Sequence, residues 1–559
     1  MAEVSGGQLV AEVLARSGVE QVFMLHGAHV HPILVACLDR GIGIVAVRHE
    51  AAAGHAAEGV ARTGRRLGVA LVTAGPGMTN VVTSMADAYL DRSPVLYLSG
   101  SVPADHDESN SLQSGIDQVA LARPVTKWAG RVHATRDIPR LVAQAVRIAT
   151  TAPTGPVFLE IPLDVLGASI EAESAPVPDQ ILVDSRLVPG AGEIDEAVRL
   201  LRAAERPAIM AGGDVYAAGA AEELRSFAEA GGLPVFAQFE ALGTLPCDHP
   251  LFAGTLWQLS QLPEETQPDL VLALGVRFGW HAPGFHAAVR ADVIHVEVDA
   301  REFGRPRPAR LAILADPRHT LRALSARLGA EPFPDRSAWI GEIRSTIADG
   351  ITAARALPPD GQGGIHPYRV GEIVAETAGP DAIVVGDGAY TKHWLDDAIS
   401  TVCRRPGSYF THGFLGVMGM GLGLAIGARV ANPDRPVVCI TGDGAVGFTL
   451  AELDTMVRND IPVVIVVNNN RSFFRLDGFA RRADGTMPTI GTDLGAVRYA
   501  DVAVAFGGFG RTVEREEELA PAIREALASG LPAVIDVPVA KTPPSFSMGA
   551  FRVMQPTAR

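Results

Sequence analysis

Two polar turns in the last third of the chain carry residues that suit a divalent cation. Asp443 lies in a Gly-Asp-Gly turn, and Asn470 follows an apolar segment, 462–467, that predicts a strand. In a parallel sheet the ends of neighbouring strands lie side by side, at the edge where open α/β sheets bind ligands. One carboxylate and one amide oxygen at that edge predict a Mg²⁺ site, because Mg²⁺ takes few protein ligands and keeps phosphate and water oxygens.

The residues around these two ligands point to a phosphorylated cofactor. Gly442 and Gly444 have no Cβ, so the backbone can come close to a diphosphate. The pattern resembles the cofactor motif of thiamine diphosphate (ThDP) enzymes. The resemblance implies Mg²⁺ bound by Asp443, Asn470 and the backbone carbonyl of Ser472. An ordinary βαβ unit with polar turns is the alternative, and the asparagine pair favours the cofactor.

Composition restricts the class of protein. The 559 residues are 47% apolar and 20% charged, which is typical of a soluble globular protein of three or four domains. A net charge of −15 without a basic run argues against a nucleic-acid partner. The four cysteines are far apart, which excludes a disulfide framework and a thiolate zinc site and favours a reducing compartment. We expect a cytoplasmic protein with no membrane partner, because no apolar run approaches about 18 residues and no leader pattern opens the chain.

Short apolar strands alternate with helical stretches along the whole chain, which predicts an α/β fold with parallel sheets. Two segments rich in Pro, Gly or acidic residues, 171–179 and 356–364, interrupt the alternation and predict linkers. We therefore expect three α/β domains of ordinary size and a short tail. The expected boundaries are 1–170, 186–340, 365–545 and 546–559.

A glycine-rich run at 419–427 invites comparison with a dinucleotide-binding turn. It does not fit Gly-x-Gly-x-x-Gly, and the acidic residue near the expected distance, Asp443, already belongs to the metal motif. We interpret the run as the start of a closely packed helix.

Glu50 is the first candidate for acid–base chemistry. Segment 44–50 predicts a strand ending on this carboxylate, and a helix of small residues follows. A buried carboxylate is costly without a partner, and burial raises its pKa. The resemblance to ThDP enzymes implies that Glu50 shares a proton with N1′ of the aminopyrimidine, while the cofactor supplies the difficult chemistry. The alternative is an acid placed by the helix dipole.

The resemblance also assigns residues to the cofactor. Met418 is the expected apolar residue that wedges between the two rings of ThDP, and a core methionine is the alternative. The expected cofactor-binding residues are Thr73, Asn80, Gly416, Met418, Gly442 and Gly444.

Longer motifs narrow the resemblance. Segments 73–80 and 91–94 are similar to the acetolactate synthase-like superfamily, which implies three doubly wound parallel-sheet domains of the pyruvate oxidase and decarboxylase type. Four further motifs are similar to benzaldehyde lyase, which joins or splits 2-hydroxy ketones (acyloins) without a required decarboxylation. They lie at 25–29, 48–59, 112–119 and 412–416. The catalytic groups thereby implied are His29, Glu50, Gln113 and His412, with the histidines moving the substrate hydroxyl proton and Gln113 orienting it.

The expected substrate pocket departs from benzaldehyde lyase. Phe474 and Arg475 stand where that family has small residues, Leu163 replaces an aromatic residue, and Lys392 replaces a tyrosine. A filled wall and two added cations predict a smaller or anionic substrate, unless the cations point to solvent. The expected pocket residues are His26, Ala28, Leu112, Leu163, Lys392, Phe474 and Arg475. A zinc cluster at His26, His29 and His31 is the weaker alternative, because no fourth ligand lies nearby in the sequence.

Three functions remain open at this point. The first is a ThDP- and Mg²⁺-dependent carbon–carbon lyase and carboligase acting on aldehydes and acyloins. The second is a ThDP enzyme with a 2-keto acid or 2-hydroxyacyl-CoA donor, like acetolactate synthase or 2-hydroxyacyl-CoA lyase. The third is an inactive regulatory or assembly subunit, which the retained Glu50, Asp443 and Asn470 argue against. The resemblance further implies a homodimer or homotetramer with ThDP between the first and third domains of two chains, and leaves open whether the central domain binds ADP or FAD.

Overall fold

The computed structural model describes residues 2–107, 109–184, 186–279, 290–305, 307–328, 333–357, 363–473 and 491–540. Three parallel β-sheets dominate these residues, and alternate side chains of their strands enter hydrophobic clusters on opposite faces. Burial on both faces explains why the strands read as continuous apolar runs. The prediction of three α/β domains with parallel sheets is therefore confirmed. No helix among the described residues is long and apolar enough to cross a membrane.

The N-terminal domain has a sheet in the order β3-β2-β4-β5-β7-β6 and a separate antiparallel pair, β1 with β8. Its strands are β1 Glu3–Ser5, β2 Gln21–Met24, β3 Gly43–Ala46, β4 Gly68–Val72, β5 Val95–Ser101, β6 Trp128–Arg131, β7 Val157–Pro162 and β8 Ser169–Glu171. Its helices are α1 Gly6–Arg16, α2 His31–Asp39, α3 Glu50–Gly64, α4 Pro76–Leu90, α5 Gln118–Ala122, α6 Ile138–Thr150 and α7 Leu163–Gly167.

The central domain has the strand order β11-β10-β9-β12-β13-β14. Its strands are β9 Pro207–Ala211, β10 Val235–Ala237, β11 Phe252–Thr255, β12 Leu270–Leu274, β13 Asp292–Glu297 and β14 Leu311–Leu314. Its helices are α8 Ala191–Ala203, α9 Gly213–Ala217, α10 Ala221–Gly231, α11 Leu256–Leu259, α12 Pro317–Leu328 and α13 Ser337–Arg355. Numbered within the domain, this is the 3-2-1-4-5-6 order of dinucleotide-binding folds, whose direction reverses between β9 and β12.

The C-terminal domain has the strand order β16-β15-β17-β18-β20-β19. Its strands are β15 Ile383–Asp387, β16 Tyr409–Thr411, β17 Val437–Gly442, β18 Val464–Asn469, β19 Phe509–Thr512 and β20 Ala533–Pro538. Its helices are α14 Pro367–Ala378, α15 Ala389–Ile399, α16 Met420–Ala431, α17 Asp443–Val446, α18 Glu452–Arg458, α19 Tyr499–Ala505 and α20 Glu516–Ser529. Strands β17 and β18 are neighbours, which places the Asp443 and Asn470 turns at one edge.

Helix α16 of the C-terminal domain packs closely against α3 of the N-terminal domain. A Cβ on Gly59 would lie 2.3 Å from the carbonyl oxygen of Leu424, and one on Gly427 would lie 1.9 Å from that of Ala56. Larger residues would force the two backbones apart. The glycine run at 419–427 therefore opens a closely packed helix, as its sequence predicts.

Candidate active site

The metal motif forms where β17 and β18 end. The Asp443 carboxylate is buried and accepts the backbone N–H groups of Gly444, at 3.0 Å, and Ser472, at 3.2 Å. Burial raises the pKa of the Asp443 carboxyl to about 6, and these N–H donors oppose the rise. The predicted ligands Asp443 and Ser472 are thus in direct contact, although the sequence separates them by a helix and a strand.

The third predicted ligand has an oxygen with no protein partner. The side-chain oxygen of Asn470 is buried and accepts no hydrogen bond from the described residues. A buried polar atom without a partner is costly, and a metal ion would satisfy it. A Cβ on Gly444 would lie 2.6 Å from the ring of Phe473, so glycine is the residue that fits at this position of the turn. The residues present therefore fit a Mg²⁺ ion with its diphosphate.

Glu50 is the first residue of α3 and lies just beyond β3, as its sequence context predicts. Its carboxylate is only 5% exposed and accepts a hydrogen bond from the Asn80 side-chain amide at 2.9 Å. Gly77 packs beside the Glu50 carboxylate: a Cβ on Gly77 would lie at ordinary contact distance, 3.6 Å, from a Glu50 oxygen. Among the described residues, the neutral Asn80 amide donates to this carboxylate and no ion pair is formed with it.

His29 lies at the same edge of the N-terminal sheet. Its Nδ1 is 3.1 Å from the Thr73 hydroxyl, and burial lowers the pKa of His29. The backbone around this contact is closely packed: a Cβ on Gly100 would lie 2.5 Å from the His29 Cβ, and one on Gly27 would lie 2.3 Å from Thr73. Burial therefore favours the uncharged imidazole, and in the tautomer whose Nδ1 donates to the Thr73 hydroxyl the Nε2 lone pair can accept a proton.

Gln113 reaches this edge from the loop before α5. It adopts a left-handed backbone conformation with φ 67°, and its Cβ would lie 3.1 Å from a Cβ on Gly75. Gln118, which the sequence did not single out, fixes the neighbouring turn. Its side-chain oxygen accepts the Gly75 N–H at 3.1 Å, and its amide donates to Glu160 at 3.1 Å.

His412 is buried at the end of β16 and lies next to a contact between domains. The Asp91 carboxylate accepts the backbone N–H of Phe414 at 3.0 Å, and a Cβ on Gly413 would overlap that carboxylate. Burial raises the pKa of Asp91 to about 6, and Arg62 opposes the rise. Asp91 therefore anchors the His412 loop from the N-terminal domain. From sequence, Asp91 was noted only as part of the family motif at 91–94, with no structural role predicted.

Met418 and Gly416 lie in the exposed loop that leads into α16. Met418 is 39% exposed, and Gly416 has φ 71°. The fully buried Asp387 holds the end of this loop, because its two carboxylate oxygens accept the N–H groups of Gly419 and Gly421, both at 3.1 Å. Asp387 was not among the predicted site residues, although it ends a buried apolar strand and so carries the same signal as Asp443.

The expected pocket residues divide into three groups. His26, Ala28 and Leu112 are exposed near His29 and Gln113, and Leu163 begins α7. Phe474 and Arg475 lie outside the described residues, so their roles stay predictions.

Lys392 is buried in the protein core, whereas the prediction placed it in the substrate pocket. Its side chain is fully buried, and its ammonium is 2.5 Å from the Asp396 carboxylate and 4.3 Å from the centre of the Phe239 ring in the central domain. Asp396 also accepts the Tyr409 hydroxyl at 2.7 Å. The ammonium is thus balanced inside the protein and needs no substrate anion. The sequence could not show this, because an i,i+4 pair looks the same on an exposed helix as in a core.

A second contact between domains fixes the segment before Glu50. The Glu452 side chain on α18 is 1% exposed and accepts the Arg48 backbone N–H with both oxygens, at 3.1 and 3.2 Å. Thr455 donates to the same carboxylate at 2.6 Å. Glu452 therefore ties the helix that follows the metal motif to the residues that precede Glu50.

We expect Glu452→Gln to lower kcat about tenfold with little change in ThDP affinity, because an amide cannot present two acceptors to the backbone and Glu50 loses its fixed position. Asp454→Asn is the matched control on the same helix, since it removes surface ion pairs with the exposed side chains of Arg48 and Arg458 and leaves the Arg48 backbone contact in place. Steady-state kinetics with calorimetric ThDP titration measure both quantities. Equal kcat in Glu452→Gln and Asp454→Asn would contradict the positioning role.

Comparison with known proteins agrees with this geometry. Residues 4–121 match the N-terminal TPP binding domain of thiamine pyrophosphate enzymes, 194–324 the central domain and 383–537 the C-terminal TPP binding domain. An acetolactate synthase large subunit of Mycobacterium tuberculosis is 33% identical over 537 residues, 95% of each chain. A probable acetolactate synthase large subunit of Methanocaldococcus jannaschii is 31% identical over 549 residues, 96% of this chain and 92% of its own. Acetolactate synthase isozyme 1 large subunit of Escherichia coli is 31% identical over 546 residues, 95% of this chain and 93% of its own.

The matched regions contain Glu50 in the first domain and Asp443, Asn470 and Ser472 in the third. Thiamine diphosphate, the cofactor predicted from these residues, is the one that the matching domain models name. The chain belongs to the thiamine pyrophosphate enzyme family, with acetolactate synthases among its relatives.

Proposed function

We propose that the chain is a ThDP- and Mg²⁺-dependent carboligase that takes an acyl unit from a 2-keto acid and joins it to a second carbonyl compound. The observation that carries this proposal is the similarity to acetolactate synthases along 95% of the chain at 33% identity. Of the two activities expected from sequence, this is the alternative with a keto-acid donor. The buried pair Lys392 and Asp396 no longer supports it, and Arg475 remains its predicted anion contact.

In this proposal the C-terminal domain holds the cofactor. Asp443, Asn470 and the Ser472 carbonyl would hold Mg²⁺, and the Gly444 turn, which has no side chain, would leave room for the diphosphate. When bound, ThDP supplies a nucleophilic carbon that adds to a carbonyl group. The protein contributes fixed polar groups in a buried site, where they act more strongly than in water.

The N-terminal domain supplies the acid–base groups. Glu50 is the carboxyl placed to exchange a proton with the cofactor, and the Asn80 amide keeps that buried carboxyl oriented. His29 is neutral because burial lowers its pKa, so it can accept the proton of a substrate hydroxyl and return it. Gln113 lies beside the Gly75 turn and orients the same hydroxyl.

A second candidate is cleavage and formation of acyloins without decarboxylation. It is favoured by the convergence of His29, Thr73 and Gln113 at one sheet edge, since a neutral histidine near a hydroxyl-orienting amide suits proton removal from a 2-hydroxy ketone.

We also propose that two copies share each active site. Met418 is 39% exposed and Leu112 is 85% exposed, although both belong to loops assigned to the site. A second copy that places its N-terminal domain over the C-terminal domain of the first would cover these apolar groups and complete the site, with dimer and tetramer both compatible.

The test of the main proposal is donor selection by the purified enzyme with ThDP and Mg²⁺. We expect carbon dioxide release and acyloin-type products from pyruvate or another 2-keto acid, and little cleavage of acetoin or benzoin. Arg475→Ala should then raise the KM for the keto acid roughly 10- to 100-fold, because a charge-assisted hydrogen bond is lost.

The opposite pattern of substrates would support the second candidate, cleavage and formation of acyloins without decarboxylation. Rapid cleavage of benzoin or acetoin to aldehydes, no carbon dioxide from keto acids, and unchanged kinetics in Arg475→Ala would overturn the keto-acid proposal. Glu50→Gln serves as the inactive control for both substrate sets.

A further inference from the structure

The central domain has the strand order of a dinucleotide-binding fold, so its ligand crevice should lie where the order reverses, between β9 and β12. Two turns meet there in direct contact. A Cβ on Gly212 would lie 1.9 Å from the Gly275 carbonyl oxygen, and one on Gly275 would lie 2.4 Å from Asp214. Asp214 and the adjoining backbone therefore form the floor of this crevice.

Arg92 of the N-terminal domain enters this crevice. Its guanidinium contacts four carboxylates of the central domain: Asp214 at 3.3 Å, Glu297 at 2.8 Å, and Asp299 and Glu302 both at 3.4 Å. The Arg92 side chain is only 11% exposed. Its backbone has φ 56°, and its carbonyl accepts the Thr154 hydroxyl, so the loop that carries it is fixed as well.

Arg92 lies between the open spaces around the crevice. Three cavities of about 170, 330 and 630 Å³ meet at this point, and both Arg92 and Thr154 line all three. Sites for small molecules have volumes of roughly 300–1,000 Å³. The arginine therefore divides a groove that would hold a dinucleotide only if it were continuous.

The charge of the crevice is wrong for a diphosphate. Among the described residues, Arg92 is the arginine that contacts all four carboxylates of the crevice, while the exposed Arg301 and Arg305 contact Asp299 and Glu302 from outside, and one oxygen of the fully buried Glu297 has no hydrogen-bond partner. A diphosphate placed here would face carboxylates at close range. The other arginines that line the two smaller cavities each already have a protein acceptor or ion-pair partner; they are Arg62, Arg65, Arg277, Arg301 and Arg305.

Movement of Arg92 toward a nucleotide would not solve this problem. It would leave Glu297 buried without its cation, and removing one partner of a buried ion pair is strongly destabilising. The geometry thus favours Arg92 as a permanent occupant of the crevice.

We propose that Arg92 closes the nucleotide crevice of the central domain, so that this enzyme works without FAD or ADP and uses the crevice to fasten the N-terminal domain to the central domain. This inference holds for either acyl donor discussed above.

Calorimetric titration of the wild-type enzyme, loaded with ThDP and Mg²⁺, tests the first half of the proposal. We expect no saturable binding of FAD or ADP, and no flavin or adenine nucleotide released from the purified protein by heat. Saturable binding of either nucleotide, or its stoichiometric release, would overturn the proposal without touching the assignment of the donor.

Thermal unfolding tests the second half. Arg92→Ala should lower the unfolding midpoint by roughly 5–10 °C, because it leaves buried carboxylates without a cation. Arg301→Ala is the matched control, since Arg301 pairs with Asp299 from a side chain that is 66% exposed. Arg92→Lys, which keeps the charge and loses the fork, should lie between wild type and Arg92→Ala, and it keeps the test decisive if the alanine variant does not fold. Equal midpoints for Arg301→Ala and the Arg92 variants would overturn the fastening role.

Discussion

Asn470→Ala is expected to weaken ThDP binding about 100-fold or more at fixed Mg²⁺, and Asp443→Ala to abolish it. Both side chains are proposed ligands of a Mg²⁺ ion that takes few protein ligands, and loss of groups that only support metal ligands already costs about 10–100-fold in affinity. Calorimetric titration with ThDP, together with metal analysis of the purified protein, measures the effect.

The two variants separate metal binding from local structure. Asp443 also accepts two backbone N–H groups, so its loss disturbs the turn itself. The Asn470 side-chain oxygen accepts none among the described residues, so its removal breaks no protein hydrogen bond at that atom. Asp434→Ala, at an exposed position of the same domain, is the control. Wild-type ThDP affinity in Asn470→Ala would remove this residue from the metal site.

Glu50→Gln is expected to preserve the fold and most of the ThDP affinity while slowing turnover by about 10²–10⁴. The amide keeps the shape of the buried side chain and can still accept the Asn80 hydrogen bond, but it cannot take up or release a proton as a carboxyl does. Hydrogen–deuterium exchange at C2 of bound ThDP reports the defect directly.

Asn80→Ala is the companion to this variant. It keeps the Glu50 carboxyl and removes the donor that orients it, so we expect a smaller loss, about tenfold in turnover, and the ThDP titration shows any loss of the cofactor contact predicted for Asn80. An unchanged C2 exchange rate in Glu50→Gln would show that another group performs the proton transfer.

Local sequence was enough to predict the positions of Glu50 and of the proposed metal ligands Asp443 and Asn470. Asp443 and Asn470 each follow an apolar strand, and β17 and β18 are successive neighbours in the parallel sheet. Strand, turn, helix and strand therefore suffice to place the two ligands together, because a right-handed crossover between neighbouring parallel strands leaves both turns at one edge. Glu50 is at a strand-to-helix junction, which is likewise a local feature.

Only the tertiary structure decided what holds these residues in place. Asp91 binds the His412 loop from 323 positions away, and Glu452 binds the Arg48 backbone from 404 positions away. Lys392 was expected in the substrate pocket and lies in the core, paired with Asp396. Arg92 lies in a family motif, yet its four carboxylate partners belong to another domain. Contacts of this kind leave no periodicity in the sequence, because they depend on how finished domains dock, whereas strand ends and helix starts are set by neighbouring residues.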